Sequence, residues 1–288
     1  MEDSQIKHLG VVGAGQMGAG IAEVSAKAGI HVVAVETSQA AADAGRARVE
    51  KSLAGAVRRE KITEAKMTEI LDLIRFETDL EALSDAELVI EAIVEDESIK
   101  SSTFEMLDKI VGDDAILASN TSSIPIMKLA MSTSRPESVV GIHFFNPVPV
   151  LHLVELVTSL HTSPATIDTA THYSATQLGK RVIRSKDRAG FIVNALLIPY
   201  LLSAIRMFES GFASKEDIDQ GMITGCAHPM GPLSLTDLIG LDTTMAVAES
   251  LYDEFKEQLY APPPLLARMV EAGLLGRKTG RGFYDYSK

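Results

Sequence analysis

One cysteine, Cys226, is all the chain possesses. No disulfide can form within it, and a reducing compartment is expected. A lone thiol of this kind is read as buried packing rather than as a nucleophile. Long apolar runs are missing too, since none approaches the roughly 20 residues that a membrane helix requires. The opening MEDSQIKHLG lacks the layout of a secretory signal. A cytoplasmic protein with no membrane attachment is therefore expected. Positive charge is in deficit, with 27 Lys and Arg against 39 Asp and Glu and a net charge of −12. Duplex nucleic acid would be repelled unless a local basic patch intervened, so no nucleic-acid partner is expected. Histidines, cysteine and carboxylates never fall at zinc-like spacing, and no metal is expected. There is no internal repeat and no low-complexity tract.

What the chain does have is length and apolar content. Its 288 residues, 46% of them hydrophobic, leave room for two domains with substantial cores. Apolar residues 9–12 run straight into Gly13-Ala14-Gly15-Gln16-Met17-Gly18. Ile21, Val24, Ser25 and Ala28 then share one helical face, Gly29 stops the helix, and 31–35 form a second apolar strand ending in Glu36. Strand, glycine loop, helix, strand, acid is the layout of a dinucleotide site. The glycines allow a sharp turn, a close approach of pyrophosphate to backbone, and tight packing of helix on strand. The acid falls about 20 residues on, as the ribose position requires. A carboxylate there accepts from both ribose hydroxyls and repels a 2′-phosphate, which favours NAD over NADP. No basic residue lies between Glu36 and Arg46.

The next segment is helical over 39–59 and again over 64–73, a hairpin longer than an ordinary crossover. Ser52, Arg58, Arg59 and Lys61 lie on it and could receive a phosphate-rich substrate handle; a solvated helix end is the plainer alternative. Strands follow at 74–76 and 88–93, then a helix over 98–111 and a strand at 115–118. Glu95 and Lys100 would fall at the carboxyl ends of these strands, where ligands of open parallel sheets lie.

The stretch 119–155 carries the chemistry. The tetrad Asn120-Thr121-Ser122-Ser123 follows a strand, and the apolar run 139–142 delivers His143 and then Asn146. The turn Asn146-Pro147-Val148-Pro149 sends the chain back through Leu153 to Glu155, so a base can face a carboxylate. An imidazole titrates near neutral pH, and an adjacent carboxylate stabilises its charged form and orients the ring. The pattern is that of a proton-transfer site. The other histidines (His8, His31, His152, His161, His172, His228) have no partner at comparable spacing. His152 would point to the opposite face of its strand from Glu155.

A helix over 163–179 and a strand over 180–185 close the first half, and 186–190 read as a boundary. Beyond it the period is helical throughout, over 191–209, 214–221, 234–255 and 265–272. The expected fold class is therefore α/β. A Rossmann-type, mainly parallel sheet domain with a helical hairpin insert spans 1–186, and an all-helical substrate and dimerisation domain spans 187–288. The cleft between them is the expected site. The apolar helices exceed what one small bundle can bury, which predicts a homodimer through the C-terminal domain.

Seven motifs occur in order: GAGQMG, EAIVED, SNTSSIP, GIHFFNPVP with LVELV, DRAGFIVN, HPMGP and GRKTGRGFYDY. Over essentially the whole chain they resemble the L-3-hydroxyacyl-CoA dehydrogenases, especially the stand-alone bacterial 3-hydroxybutyryl-CoA enzymes. The resemblance implies NAD-dependent, reversible oxidation of a short-chain (3S)-3-hydroxyacyl-CoA to the 3-ketoacyl-CoA. By the same resemblance His143 is the general base and Glu155 orients it, while Ser122 and Asn194 polarise and bind the substrate. Gly13, Gly15, Gln16, Met17, Gly18, Glu36, Glu95, Lys100, Asn146 and Lys278 match NAD-contacting positions, and Ser52 and Arg59 match contacts to coenzyme A. Where many members carry Arg after the Asn of GFxxN, this chain has Ala195. Two alternatives remain. One is a dehydrogenase for a free hydroxy acid or a sugar acid such as L-gulonate; the other is a non-catalytic, crystallin-like structural role.

Overall fold

Eight short strands build the first half of the chain, and those at the centre of the sheet are mostly apolar. The computed structural model describes residues 5–287, which divide into two compact units between Arg188 and Ala189. The first unit opens with β1 (His8–Val12), α1 (Gln16–Lys27) and β2 (His31–Val35). The helical hairpin α2 (Gln39–Arg58) and α3 (Glu64–Asp72) follows, then β3 (Ile74–Glu77), β4 (Leu88–Glu91), α4 (Glu97–Ile110) and β5 (Ile116–Ser119). The short α5 (Ile126–Ala130), β6 (Val139–Phe144), β7 (Leu153–Thr158), α6 (Pro164–Thr171) and β8 (Arg181–Lys186) complete it.

The sheet order is β3-β2-β1-β4-β5-β6-β7-β8. Pairing is parallel from β3 through β6; β7 then pairs antiparallel with β6, and β8 runs parallel to β7. β4, β5 and β6 are buried at every residue, as befits central strands covered on both faces. Leu9, Val11, Ile21, Val32, Leu53, Ile90, Val140 and Leu156 share one core, which fixes the sheet on which the site is built. Helix starts follow local chemistry. The side chains of Ser38, Thr63, Asp96 and Ser163 each accept a first-turn N–H, and Pro164 occupies the first turn after Ser163. β4 ends at Glu91, two residues before the apolar run does. The Glu91 carboxylate accepts the Ile93 N–H at 2.7 Å and draws the chain out of the ladder.

The second unit consists of α7 (Val193–Glu209), α8 (Lys215–Gly225), α9 (Pro232–Ile239), α10 (Leu241–Phe255) and α11 (Pro264–Glu271). Ile198, Leu202, Ile205, Leu233, Leu241, Val247, Leu251 and Leu266 form its core. The single helix expected over 234–255 is two helices. Gly240 has φ +104°, a value no helix can carry, and the chain turns there. α7 starts two residues later than expected because Gly190 (φ +71°) and Phe191 (φ +48°) are both left-handed. The tail is held by two carboxylates. Asp237 accepts the N–H groups of Phe283 and Tyr284 and the Tyr286 hydroxyl; Asp219 accepts the Leu233 and Ser234 N–H groups and the Tyr284 hydroxyl. Cys226, expected to be buried, is exposed; it follows α8 directly and belongs to no core. Among the described residues no helix is long and apolar enough to cross a membrane.

Candidate functional site

The glycine loop closes the end of β1. Gly13 turns at φ +90°, and a Cβ there would come within 2.8 Å of the Ala92 carbonyl. A Cβ on Gly18 would stand 1.8 Å from the Gly13 carbonyl oxygen, so only glycine lets α1 sit this close to the loop. A Cβ on Gly15 would meet nothing within 4 Å, and no side chain caps the first turn of α1. Open backbone at a helix N-terminus fits a pyrophosphate. Met17 is half-buried and packs against the core, while the Gln16 amide donates to Asn146 Oδ1 at 3.0 Å and links the loop to the turn after β6.

Glu36 Oε1 accepts the Ala14 N–H at 2.6 Å, so the carboxylate also holds the glycine loop. Arg48, which linear spacing did not single out, donates to the Ala14 carbonyl at 3.3 Å from α2. A test of the ribose role must keep the Ala14 bond, which Glu36→Gln does through its amide oxygen. That variant is expected to lower the NAD-over-NADP ratio of kcat/KM by about tenfold or more, a loss of ~1.4 kcal/mol in discrimination. An unchanged ratio in parallel assays would remove Glu36 from cofactor selection.

At the ends of β4 and β5 lies a charged cluster. Lys100 is 1% exposed, and its Nζ sits 2.5 Å from Glu91 Oε1 and 3.2 Å from Glu95 Oε2. Ser119 donates to Glu91 Oε2 at 2.7 Å. Glu95 Oε1 lies beneath the tetrad, accepting from Thr121 Oγ1 (2.5 Å), Ser122 N–H (3.0 Å), Ser123 N–H (3.1 Å) and Ser123 Oγ (2.8 Å). Burial pushes the Glu95 carboxyl up, but the Lys100 charge and these donors outweigh it and hold the group below the usual range. Glu91 is the residue that sequence reasoning missed. Its only signal was an acid standing inside the apolar run LVIEAI.

The register of β6 on β7 sets His143 directly across from Glu155. His143 Nδ1 lies 2.8 Å from Glu155 Oε2, with the two residues 6% and 0% exposed. With Nδ1 turned to the carboxylate, Nε2 is the ring nitrogen left for another partner. The Phe145 ring packs 4.6 Å away, centroid to centroid. Asn120 Oδ1 accepts the Phe144 N–H at 2.9 Å, tying the tetrad to the strand that bears the histidine. The turn behind it contains a cis Asn146–Pro147 bond and is held by Lys180, whose Nζ donates to the carbonyls of Val148 (2.6 Å) and Leu151 (2.7 Å). Burial and then the nearby Lys27 charge keep Lys180 below the ordinary lysine range. Lys180 too was not singled out.

On the hairpin, Ser52 is half-buried in α2 and Arg59 follows its last residue. The guanidinium groups of Arg58 and Arg59 converge above Gly55, 3.4 to 3.6 Å from where its Cβ would be. Among the described residues neither makes an ion pair. In the second unit Asn194 is half-buried in the first turn of α7, and Lys278 pairs with Asp242 at 2.5 Å. His152 is exposed and precedes β7 instead of lying on it. His228 contacts the Tyr200 hydroxyl at 3.2 Å, and His8 stacks on His31 at 5.6 Å.

A nucleotide cradle and a buried imidazole–carboxylate pair on one mainly parallel sheet define an oxidoreductase of the dinucleotide-binding class. Residues 8–188 match the family model described as "3-hydroxyacyl-CoA dehydrogenase, NAD binding domain", and residues 190–286 match that family's C-terminal domain. The chain belongs to the 3-hydroxyacyl-CoA dehydrogenase family. It is 59% identical over 282 residues to the 3-hydroxybutyryl-CoA dehydrogenase of Mycobacterium tuberculosis, covering 98% of this chain and 99% of that relative. The crystal structure of M. tuberculosis FadB2 is similar at a TM-score of 0.97 and 59% identity, over 98% of this chain and 99% of that one. The (S)-3-hydroxybutyryl-CoA dehydrogenase PaaH1 of Ralstonia eutropha gives a TM-score of 0.93 at 48% identity, over 99% and 100% of the two chains.

Proposed function

We propose that this chain oxidises (3S)-3-hydroxybutyryl-CoA and similar short-chain esters to the 3-ketoacyl-CoA, reversibly, with His143 and Glu155 as the acid–base pair. It is an NAD-dependent dehydrogenase of 3-hydroxyacyl-CoA by family. The observation that carries the acid–base assignment is the His143–Glu155 contact at 2.8 Å, out of water and on the sheet that bears the glycine loop. His143 Nε2 takes the proton of the C3 hydroxyl, and the charge that appears on the ring is met by Glu155 at Nδ1. Bound NAD supplies the acceptor for the hydride leaving C3. Ser122 and Asn194 donate hydrogen bonds to the substrate oxygens as charge develops on them. Gly13, Gly15, Gln16, Met17, Gly18, Glu36, Glu95, Lys100, Asn146 and Lys278 are the cofactor-side residues of this reading. Ser52 and Arg59 receive the coenzyme A handle, with Arg58 beside them; the converging guanidinium groups support this, because they suit a phosphate.

The assembly is a homodimer through the second unit. Leu196 is 73% exposed and Met207 42% exposed along α7, with Phe212 just beyond at 79%; apolar surface of this kind suits a second copy. The reducing cytoplasm is the location, in keeping with the lone cysteine.

NADH oxidation with acetoacetyl-CoA and with free acetoacetate tests the substrate class. The ester is expected to exceed the free acid by roughly a hundredfold in kcat/KM, because binding energy from the remote handle is spent at the reacting centre. Comparable values would point to a free-acid dehydrogenase, and no turnover with either to a structural protein. The same preparation should sediment at twice the 30.9 kDa of one chain.

A further inference from the structure

The four backbone N–H groups from Thr121 to Ile124 all end on side-chain oxygens. Thr121 N–H donates to Ser119 Oγ at 3.1 Å, and Ser122 N–H to Glu95 Oε1 at 3.0 Å. Ser123 N–H donates to Glu95 Oε1 (3.1 Å) and Thr121 Oγ1 (3.2 Å), and Ile124 N–H to Thr121 Oγ1 at 2.9 Å. No strand or helix ladder sets the path of this segment, so three side chains set it: Ser119, Thr121 and Glu95. Each is anchored in turn. Ser119 Oγ donates to Glu91, Thr121 Oγ1 donates to Glu95, and the two glutamates share the buried ammonium of Lys100.

We propose that Glu91, Ser119 and Thr121 are positioning residues that aim the Ser122 hydroxyl at the reacting oxygen. This rests on the reading of Ser122 as a substrate-polarising group. On the branch from Lys100 through Glu91 and Ser119 the bonds reach the Thr121 N–H without a water-exposed step, these three residues being 1%, 0% and 0% exposed, whereas Glu95, which accepts the Ser122 N–H, has its side chain 32% exposed. Buried charge-assisted bonds are short and stiff, and they keep their direction when the surface moves. Lys100 joins the two carboxylates from which these bonds start. Glu91 holds Ser119 in the rotamer that accepts the Thr121 N–H.

The test is a double-mutant cycle on kcat with acetoacetyl-CoA and NADH, with NADH affinity measured beside it. Ser119→Ala alone is expected to lower kcat about tenfold or more, the cost of a modest misalignment, with NADH affinity within about twofold. In a Ser122→Ala background the same change should cost less than about twofold, since the group it aims is gone. An equal loss in both backgrounds would mean that Ser119 acts on the protein at large, and would overturn the proposal while leaving Ser122 in its role. Unchanged kcat in Ser119→Ala overturns it as well. Should Ser122→Ala itself be without effect, the polarising role and the proposal fall together. If Ser119→Ala does not fold, Thr121→Val enters the same cycle with the same expected coupling.

Discussion

His143→Gln is expected to lower kcat by about 10²-fold or more, with NADH affinity changed less than about twofold. The amide keeps a side chain of similar reach but cannot take a proton. Glu155→Gln should fall in the same range for a different reason. It leaves the ring seated, since an amide oxygen can still accept from Nδ1, but withdraws the charge that makes an imidazolium tolerable out of water. Both residues are buried, so the measurement must include thermal unfolding; a loss of rate with an unaltered melting curve is the informative result. Near-normal turnover in either variant would take that residue out of the mechanism. The pair is expected to be non-additive. With the base gone, removing its carboxylate partner should cost little more, as befits groups that act as one unit.

The second large effect separates two glycines of one loop. Gly18→Ala would force a Cβ to within 1.8 Å of the Gly13 carbonyl oxygen, a backbone atom that cannot swing aside. α1 must then lift off the loop. The expected result is a loss of roughly 1–3 kcal/mol of stability, a lower Tm, and NADH affinity reduced by about tenfold or more. Gly15→Ala is the contrast. Its φ of −62° suits any residue, and its Cβ would meet no protein atom within 4 Å. The fold should accept it without change in Tm. NADH affinity should nevertheless drop by about tenfold or more, because the added methyl occupies the side from which a pyrophosphate approaches. Calorimetry and NADH titration on the two variants check this. Equal behaviour, or a Gly15→Ala protein that binds NADH normally, would place the phosphates elsewhere.

The parts of this site that could be read from the sequence are those governed by short-range rules. Apolar run lengths and the Asn146–Pro149 turn were enough to set β6 against β7, and so His143 against Glu155, because a strand rung follows from counting. The glycine loop was legible for the same reason: each glycine answers a local steric demand. What escaped depends on contacts that no period encodes. Glu91 finds Lys100 nine positions on and Ser119 twenty-eight on, across a helix and a neighbouring strand. Lys180 reaches back to the Val148 carbonyl. The break at Gly240 was missed because the apolar spacing on either side continues in phase, while a single φ value interrupts the helix. Cys226 was misjudged from the habits of its residue type, which say nothing of where a particular helix ends.

Lys100 and Glu91 lie out of reach of dissolved ions, whereas Arg58 and Arg59 on the hairpin stand in open solvent. Mobile ions weaken the second kind of charge and barely touch the first. If the hairpin receives the substrate's phosphates as proposed, the salinity of the surroundings would bear on that grip and hardly at all on the buried bonds at the strand ends. A change of ionic strength would then act at the hairpin and leave the strand ends as they are.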